Sequence, residues 1–419
     1  MTCLTQFLSK VSPGRDSPNL RLSTVRNARE RHRDSLLNLL ALCTFFVTDA
    51  LPPADGERLD FGQVLIDRDR DACEREESTL SKEGLQHDRP MHVYWSVTPE
   101  QSSSTYVRTV VAGLRDRGVT VSPIGLLRCL RTSGSIVHIQ WPEHVSRGAS
   151  PTKTVLKQAR AFGLLAIARA RGHAIVLTAH NRVPHHETNA VDSHFRNSVY
   201  ANADALVALV GEHFDLLTLD GTIDAQTRRE VIPHPLVSPV LAKEHTPSDG
   251  PLVILGQIHS YHLVEEFVAA WERSNLRREA IVIGAAGDKE LVSRLEGRAL
   301  NHDRLSVHVG FMPDDELGDV LTRAAAIIAL QRNPFNSGAP FDALPRGLPV
   351  VLSAGAQADD LTRTVGAEWV FTMPAEPHAD DIASLEAWLG IDRTEPSLHP
   401  YQPDVVCEAH IELYRSLLR

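Results

Sequence analysis

Three short stretches carry residue types that could do chemistry. Asn336, Ser337 and Gly338 stand between the strand-like run "AAIIAL" and the helix-like run "APFDALPRG". Read as the first turn of that helix, they present unpaired backbone N–H groups and a partial positive charge, and the glycine lets an anion come close. A diphosphate is the expected occupant; simple capping of the helix by Asn336 or Ser337 is the alternative on the same pattern. His180 and Asn181 end the run "HAIVLTAHN", where an imidazole that titrates near neutrality could act as a general base or pack as a hydrogen-bonded residue. "WPEH" sets Trp141, Glu143 and His144 directly after "SIVHIQ". Glu143 is a second candidate base, and Trp141 offers either an aromatic face to a ligand or ordinary core packing.

These residues need elements to hold them at strand ends. From Met91 onward, short runs rich in Val and Ile alternate with helical ones at βαβ spacing: "MHVYWSV", "SIVHIQW", "HAIVLTAHN" and "ADALVALV". The segment "VIPHPLVSPVLAKEHTPSDGP", residues 231–251, breaks every periodic pattern and reads as a linker. A second series follows with "LVILG", "AIVIG", "LSVHVG", "AAIIAL" and "LPVVLS". The expected architecture is α/β: two Rossmann-like doubly wound domains facing across a cleft, spanning 91–235 and 251–400, with a linker at 236–250 and a C-terminal helix at 401–419. Ligands of such sheets bind at the carboxyl ends of the strands, where the candidate residues stand.

Composition sets the limits. The chain has 419 residues, 42% of them hydrophobic, enough for about two domains with full cores. A net charge of -10 gives no general attraction to nucleic acid, so no nucleic-acid partner is expected and any anion needs a local site. Five scattered cysteines, Cys3, Cys43, Cys73, Cys129 and Cys407, form no metal-ligand pattern and suit reduced thiols in a cytoplasmic protein. No Asp-x-Asp pair stands where it could carry a metal-bound diphosphate. Residues 1–90 are expected to form a partly disordered extension: "LLNLLALCTFFV", residues 36–47, is too short to span a membrane and reads as a packed or surface helix, and the charged segment 67–90 reads as a solvated linker.

Residues 91–419 resemble the GT-B glycosyltransferases, and within them the bacterial polysaccharide group that includes GDP-mannose:glycolipid 4-β-mannosyltransferases. The matching stretches are "VHIQWPEH", "VLTAHNRVPHHE", "VIPHP", "LGQIHSYHLVEEF", "VGFMPDDEL" and "NSGAPFDALPRGLPVV", in that order. The resemblance implies a metal-independent hexosyltransferase with no cofactor, moving a sugar from a nucleotide-diphosphate sugar to a lipid-linked or oligosaccharide acceptor. It also implies that the second domain binds the donor. Asn336, Ser337 and Gly338 would then meet the diphosphate, Phe311 would line the base pocket, and Asp342 would stand where many relatives carry a Glu that contacts the ribose or sugar. The partner of that Glu falls at Pro334, so the pair is incomplete here. The loop that begins at Gly256 usually supplies Arg and Lys to the leaving diphosphate; in this chain it reads "GQIHSYH", with His259 and His262 in those places. On the acceptor side, His180 and Glu143 are the candidate catalytic residues, and Trp141 could stack on a sugar.

The stretch from His144 to Glu187 has no acidic residue between its ends but carries Arg147, Lys153, Lys157, Arg160, Arg169, Arg171 and Arg182. Interleaved with Leu156, Phe162, Leu164 and Ile167, these suggest either a solvated helix face or a basic amphipathic helix on the anionic inner face of a plasma membrane. Two rival functions stand beside transfer: a degenerate binding or regulatory protein, for which His259, His262 and Pro334 speak, and a nucleotide-sugar epimerase of the same fold.

Overall fold

The computed structural model describes residues 91–97, 102, 104–146, 150–181, 190–219, 227–238, 240, 249–274 and 276–419. The expectations for residues 1–90 lie outside the described residues. The first series runs β1 (His92–Trp95), α1 (Thr105–Asp116), β2 (Thr120–Pro123), α2 (Leu126–Arg131), β3 (Ile136–Gln140), α3 (Pro142–Ser146), α4 (Pro151–Ala170), β4 (Ala174–Ala179), α5 (Ala190–Asn202), β5 (Ala205–Ala208), α6 (His213–Leu219) and β6 (Arg228–Val231). Its strands form one parallel sheet in the order β2-β1-β3-β4-β5-β6. Every residue of β3, β4 and β5 is buried, as strands covered by helices on both faces require.

The second series runs β7 (Leu252–Leu255), α7 (Val264–Arg273), β8 (Ala280–Gly284), α8 (Lys289–Ala299), β9 (Leu305–Val309), α9 (Asp314–Arg323), β10 (Ala326–Ala329), α10 (Pro340–Ala343), β11 (Val350–Ser353), α11 (Ala356–Val365), β12 (Val370–Met373), α12 (Ala379–Leu389) and α13 (Pro403–Leu417). This sheet is also parallel, in the order β12-β11-β10-β7-β8-β9. Alternate residues feed two cores. Leu252, Ile254, Ala326 and Ile328 face the core that holds α7 and α12; Val253, Ile327, Val350 and Leu352 face the one that holds α9 and α11.

Two connections join the halves. The start of the proline-rich linker packs on the second domain, where Leu236 N–H donates to Tyr401 O at 2.7 Å and Val237 N–H to Phe341 O at 3.0 Å. The C-terminal helix α13 returns to the first domain, burying Val406, Ile411, Leu413 and Tyr414 in the core formed by α1 and the strands Val93, Ile136 and Val176 belong to. A bidentate-capable guanidinium ties the two helices at the surface, with Arg117 Nη2 2.7 Å from Asp404 Oδ1.

Strands β2, β6 and β12 are additional to the runs read from sequence. Each lies at an outer edge of its sheet and has mixed burial rather than an apolar run.

Candidate functional site

In the second sheet the chain steps outward in one direction from β7 to β9 and in the other from β10 to β12, leaving a crevice at the carboxyl ends of β7 and β10. A cavity of about 710 Å³ occupies this crevice, of the size that holds a small organic ligand. Its lining includes Gly256, Gln257 and Ile258 after β7, Leu330 and Gln331 after β10, the turn Asn336–Ser337–Gly338, and Asp342 with Arg346. Thr105 of α1 and Val237 and Ser238 of the linker also line it. Gly256 has φ +140°. Gly284, at the end of β8, is held so close that a Cβ there would lie 1.4 Å from the Gly256 carbonyl oxygen.

The turn at 336–338 differs from the expected helix start. The helix begins at Pro340 and is only four residues long before tightening into a 3₁₀ turn, Leu344–Arg346, that ends on Gly347 at φ +70°. Pro340 and Pro345 lack N–H groups, so a longer α-helix with a full set of amide donors cannot form there. Asn336, Ser337 and Gly338 precede this short helix as a loop, and its rigidity comes from a residue the sequence reading missed. Gln357 of α11, 7% exposed, accepts from Ser337 N–H at 2.8 Å and donates to Ser337 O at 2.8 Å and to Asn336 Oδ1 at 3.2 Å. Gln357→Leu removes all three bonds while keeping the volume. It should lower stability by about 1–3 kcal/mol and loosen the turn, checked by chemical denaturation alongside nucleotide titration.

Asp342 is already engaged. Its carboxylate accepts from the Ser238 hydroxyl and from Arg346 Nε–H at 3.2 Å, and Arg346 Nη2 donates to Ser238 Oγ at 2.9 Å. The sequence signal for Arg346 was its i,i+4 spacing from Asp342 on a helical run. His262 lines the cavity, its Nδ1–H donating to Gln257 O at 2.6 Å. His259 does not line it: its ring lies beside Gly287 and 4.6 Å from the Tyr261 ring. Phe311 is 88% exposed and outside the lining.

On the first domain, a file of rings leads from the strand ends toward the turn. Trp141 stacks on His180 at 4.5 Å and 24°. Tyr106 meets His180 edge-on at 4.7 Å and His234 at 5.1 Å, and His234 stacks on Phe341 at 4.5 Å and 11°. A Cβ on Gly338 would sit 3.4 Å from His234 Nε2, so the glycine admits this close approach. Burial, then the neighbouring His234 and His410, pushes the His180 imidazole down to about 3; burial pushes His234 down to about 4. Both are neutral at physiological pH. The expectation of a base at His180 rested on titration near neutrality, and burial removes that basis; a neutral ring suits hydrogen bonding to a hydroxyl. Glu143 belongs to α3, but its side chain lies outside the described residues.

No protein-family model matches the chain. It is similar to a GDP-mannose:glycolipid 4-beta-D-mannosyltransferase of Xanthomonas campestris, with 22% identity over 316 residues, covering 71% of this chain and 82% of the relative. Among solved structures it is similar to a sucrose-phosphate synthase of Thermosynechococcus elongatus, with TM-score 0.57 at 16% identity over 78% of this chain and 99% of that one. It is also similar to the Anabaena protein HepE in complex with UDP, with TM-score 0.56 at 12% identity over 78% and 100% of the two chains. A lipopolysaccharide outer core galactosyltransferase, WaaB, gives TM-score 0.53 at 11% identity over 78% and 99%. With its two parallel six-stranded sheets, the chain has the GT-B fold that these glycosyltransferases share.

Proposed function

We propose that the protein is a metal-independent glycosyltransferase, moving a sugar from a nucleotide-diphosphate sugar to a lipid-linked or oligosaccharide acceptor in cell-surface polysaccharide synthesis. The observation that carries this reading is the cavity at the carboxyl ends of β7 and β10, lined by the Asn336–Gly338 turn and reached from the first domain by Thr105 and from the linker by Ser238. Support also comes from the glycolipid acceptor in the name of the Xanthomonas relative and from HepE, solved with UDP-glucose. In this reaction the acceptor hydroxyl oxygen attacks the anomeric carbon, the bond from that carbon to the diphosphate breaks, and the nucleoside diphosphate leaves with the electron pair. Glu143 is the proposed base for the hydroxyl proton. His180 holds the acceptor as a neutral hydrogen-bonding group, and the Asn336–Gly338 turn with Arg346 stabilises the departing charge.

Arg346 lines the cavity as a fixed cation, and Asp342 balances it at 3.2 Å. His262 in the lining therefore matters to an anionic ligand, and His259 outside it matters less. His262→Ala should weaken UDP or GDP binding about tenfold, with His259→Ala within about twofold of the parent; isothermal titration of the two variants checks the order.

For the acceptor's location we propose peripheral contact with an anionic membrane on the cytoplasmic face. Val155 is 66% and Leu156 52% exposed on α4, among the exposed Lys153, Lys157 and Arg160, while Leu127 and Leu130 of the neighbouring α2 are exposed as well. Further residues of the basic stretch serve the fold: Arg169 pairs with Asp204 at 2.8 Å, Arg171 donates to Thr132 O at 2.9 Å, and Leu164 and Ile167 are buried, while Arg147 and Arg182 lie outside the described residues. No helix among the described residues is long and apolar enough to cross a membrane.

The test is release of nucleoside diphosphate from GDP-mannose, UDP-glucose and UDP-glucuronate. Turnover of one of them is the expected result. Binding without turnover supports a binding or regulatory protein, and neither binding nor turnover of any of the three defeats the transferase reading.

A further inference from the structure

The residues that lead into the Asn336–Gly338 turn are held by the other domain. Pro334 lies against Gly355, just before α11, so close that a Cβ on the glycine would sit 3.1 Å from Pro334 Cγ. With φ fixed by its own ring, this proline narrows the directions in which the next residue, Phe335, can leave the backbone. Phe335 is 5% exposed and does not line the cavity. Its ring partner belongs to the first domain: His213, the first residue of α6, is fully buried and stacks on Phe335 at 3.7 Å and 15°.

The far side of the turn repeats the arrangement. Phe341 is covered by the His234 ring, where the first domain passes into the linker. The turn thus lies between two phenylalanines, each capped by an imidazole from outside the second sheet. Burial pushes the His213 ring down to about 4, against the opposing pull of the Phe335 backbone and of Glu212. The ring is therefore neutral at physiological pH, and the stack encloses no charge.

A second contact starts from the same end of α6. Glu212 accepts from Arg363 Nη2 at 2.6 Å, and Arg363 is on α11, the helix that carries Gln357. The two side chains are 45% and 58% exposed, so solvent screens this pair and it adds little. The buried stack is the stronger of the two holds.

We infer that His213 is a positioning residue for the donor turn: through the Phe335 ring it fixes where Asn336, Ser337 and Gly338 present their polar groups to the cavity. This rests on the transferase reading above. Donor groups aimed before a ligand arrives bind it more tightly than groups that must be ordered on binding. The stack supplies that order from a residue outside the cavity lining. It needs a flat side chain at position 213, since a branched aliphatic group fills the volume without lying face to face on the phenylalanine.

The test measures hydrogen–deuterium exchange of the segment 333–343 in the full-length parent, without nucleotide, and in His213→Leu, His213→Phe and Glu212→Gln. The expected result is exchange about tenfold faster in His213→Leu, with His213→Phe and Glu212→Gln within about twofold of the parent. Exchange of β7 and β8 should not change, which separates a local hold on the turn from a general loss of stability. Phe335→Leu removes the other ring and serves in the same way if His213→Leu fails to fold. Equal exchange in parent and leucine variant, no recovery in His213→Phe, or the same acceleration in Glu212→Gln overturns the inference. Titration with UDP and GDP is scored separately, with affinity in His213→Leu expected to fall about tenfold. Faster exchange in a protein whose parent binds neither nucleotide keeps the hold of His213 on the turn and loses the donor reading. Equal nucleotide affinity in parent and His213→Leu keeps the donor reading and overturns the positioning role.

Discussion

Lowering the pH from about 7.5 to about 5.5 should reduce the stability of this protein by on the order of 5 kcal/mol, comparable to the whole stability of a small domain. The reason is the set of four buried imidazoles, His138, His180, His234 and His410, beneath the first domain's strand ends. His138 bonds Tyr414 OH at 2.5 Å through Nδ1 and Thr178 Oγ1 at 2.7 Å through Nε2. His410 Nε2 meets Tyr106 OH at 3.3 Å. His180 and His234 flank Tyr106. Burial holds His180 and His410 down to about 3 and His234 to about 4, and it pushes His138 well below its ordinary range. None of the four has a carboxylate partner among the described residues.

Each ring is neutral in the fold and has its ordinary value, 6.5, in the unfolded chain. The unfolded chain thus binds more protons below that value. Stability is complete above about pH 6.5 and falls as the pH drops toward the folded values, by about 1.4 kcal/mol per unit for each ring. A melting curve taken at several pH values reads this directly. His410→Phe should make the slope shallower by one ring's share. Melting temperatures that agree at the two pH values would contradict the account of the cluster.

Gly284→Ala should be the most damaging single substitution beside the second domain's cavity. The added carbon would meet the Gly256 carbonyl oxygen at 1.4 Å, backbone against backbone, with no flexible side chain to give way. Gly256 N–H is itself bonded to Ile283 O at 3.1 Å, and Gly310 N–H to Gly284 O at 2.8 Å, so the ends of β7, β8 and β9 are stitched together at this point. Relief requires one of these strand ends to move, at a cost of about 3 kcal/mol or more. The floor of the cavity would move with it. A thermal melt and a UDP or GDP titration should show both effects, and a variant that melts and binds like the parent would show that the close approach is not needed.

What the sequence made legible follows from what burial writes into it. Strands covered on both faces are continuous apolar runs, so β3, β4, β7, β8, β10 and β11 could be read directly. The edge strands β2, β6 and β12 are partly exposed and interrupted by polar residues such as Thr120, Arg228 and Thr372, and they gave no such run. The cavity turn at Asn336–Gly338 was legible because Gly and Asn punctuate a strand-to-helix step. Its anchor Gln357 was not, because that contact joins residues twenty positions apart across a strand. The same limit hid Ser238 as the partner of Asp342. Residue type alone also could not distinguish His262, on the cavity wall, from His259 beside it in the chain. Nor could it show that His180 is dry and hence neutral.

The most direct test of the account is a structure of the full chain with UDP or GDP bound. The account predicts the diphosphate in the cavity at the carboxyl ends of β7 and β10, within hydrogen-bonding distance of Asn336, Ser337 or Gly338. A nucleotide bound elsewhere, or a cavity that stays empty at saturating nucleotide, would contradict it.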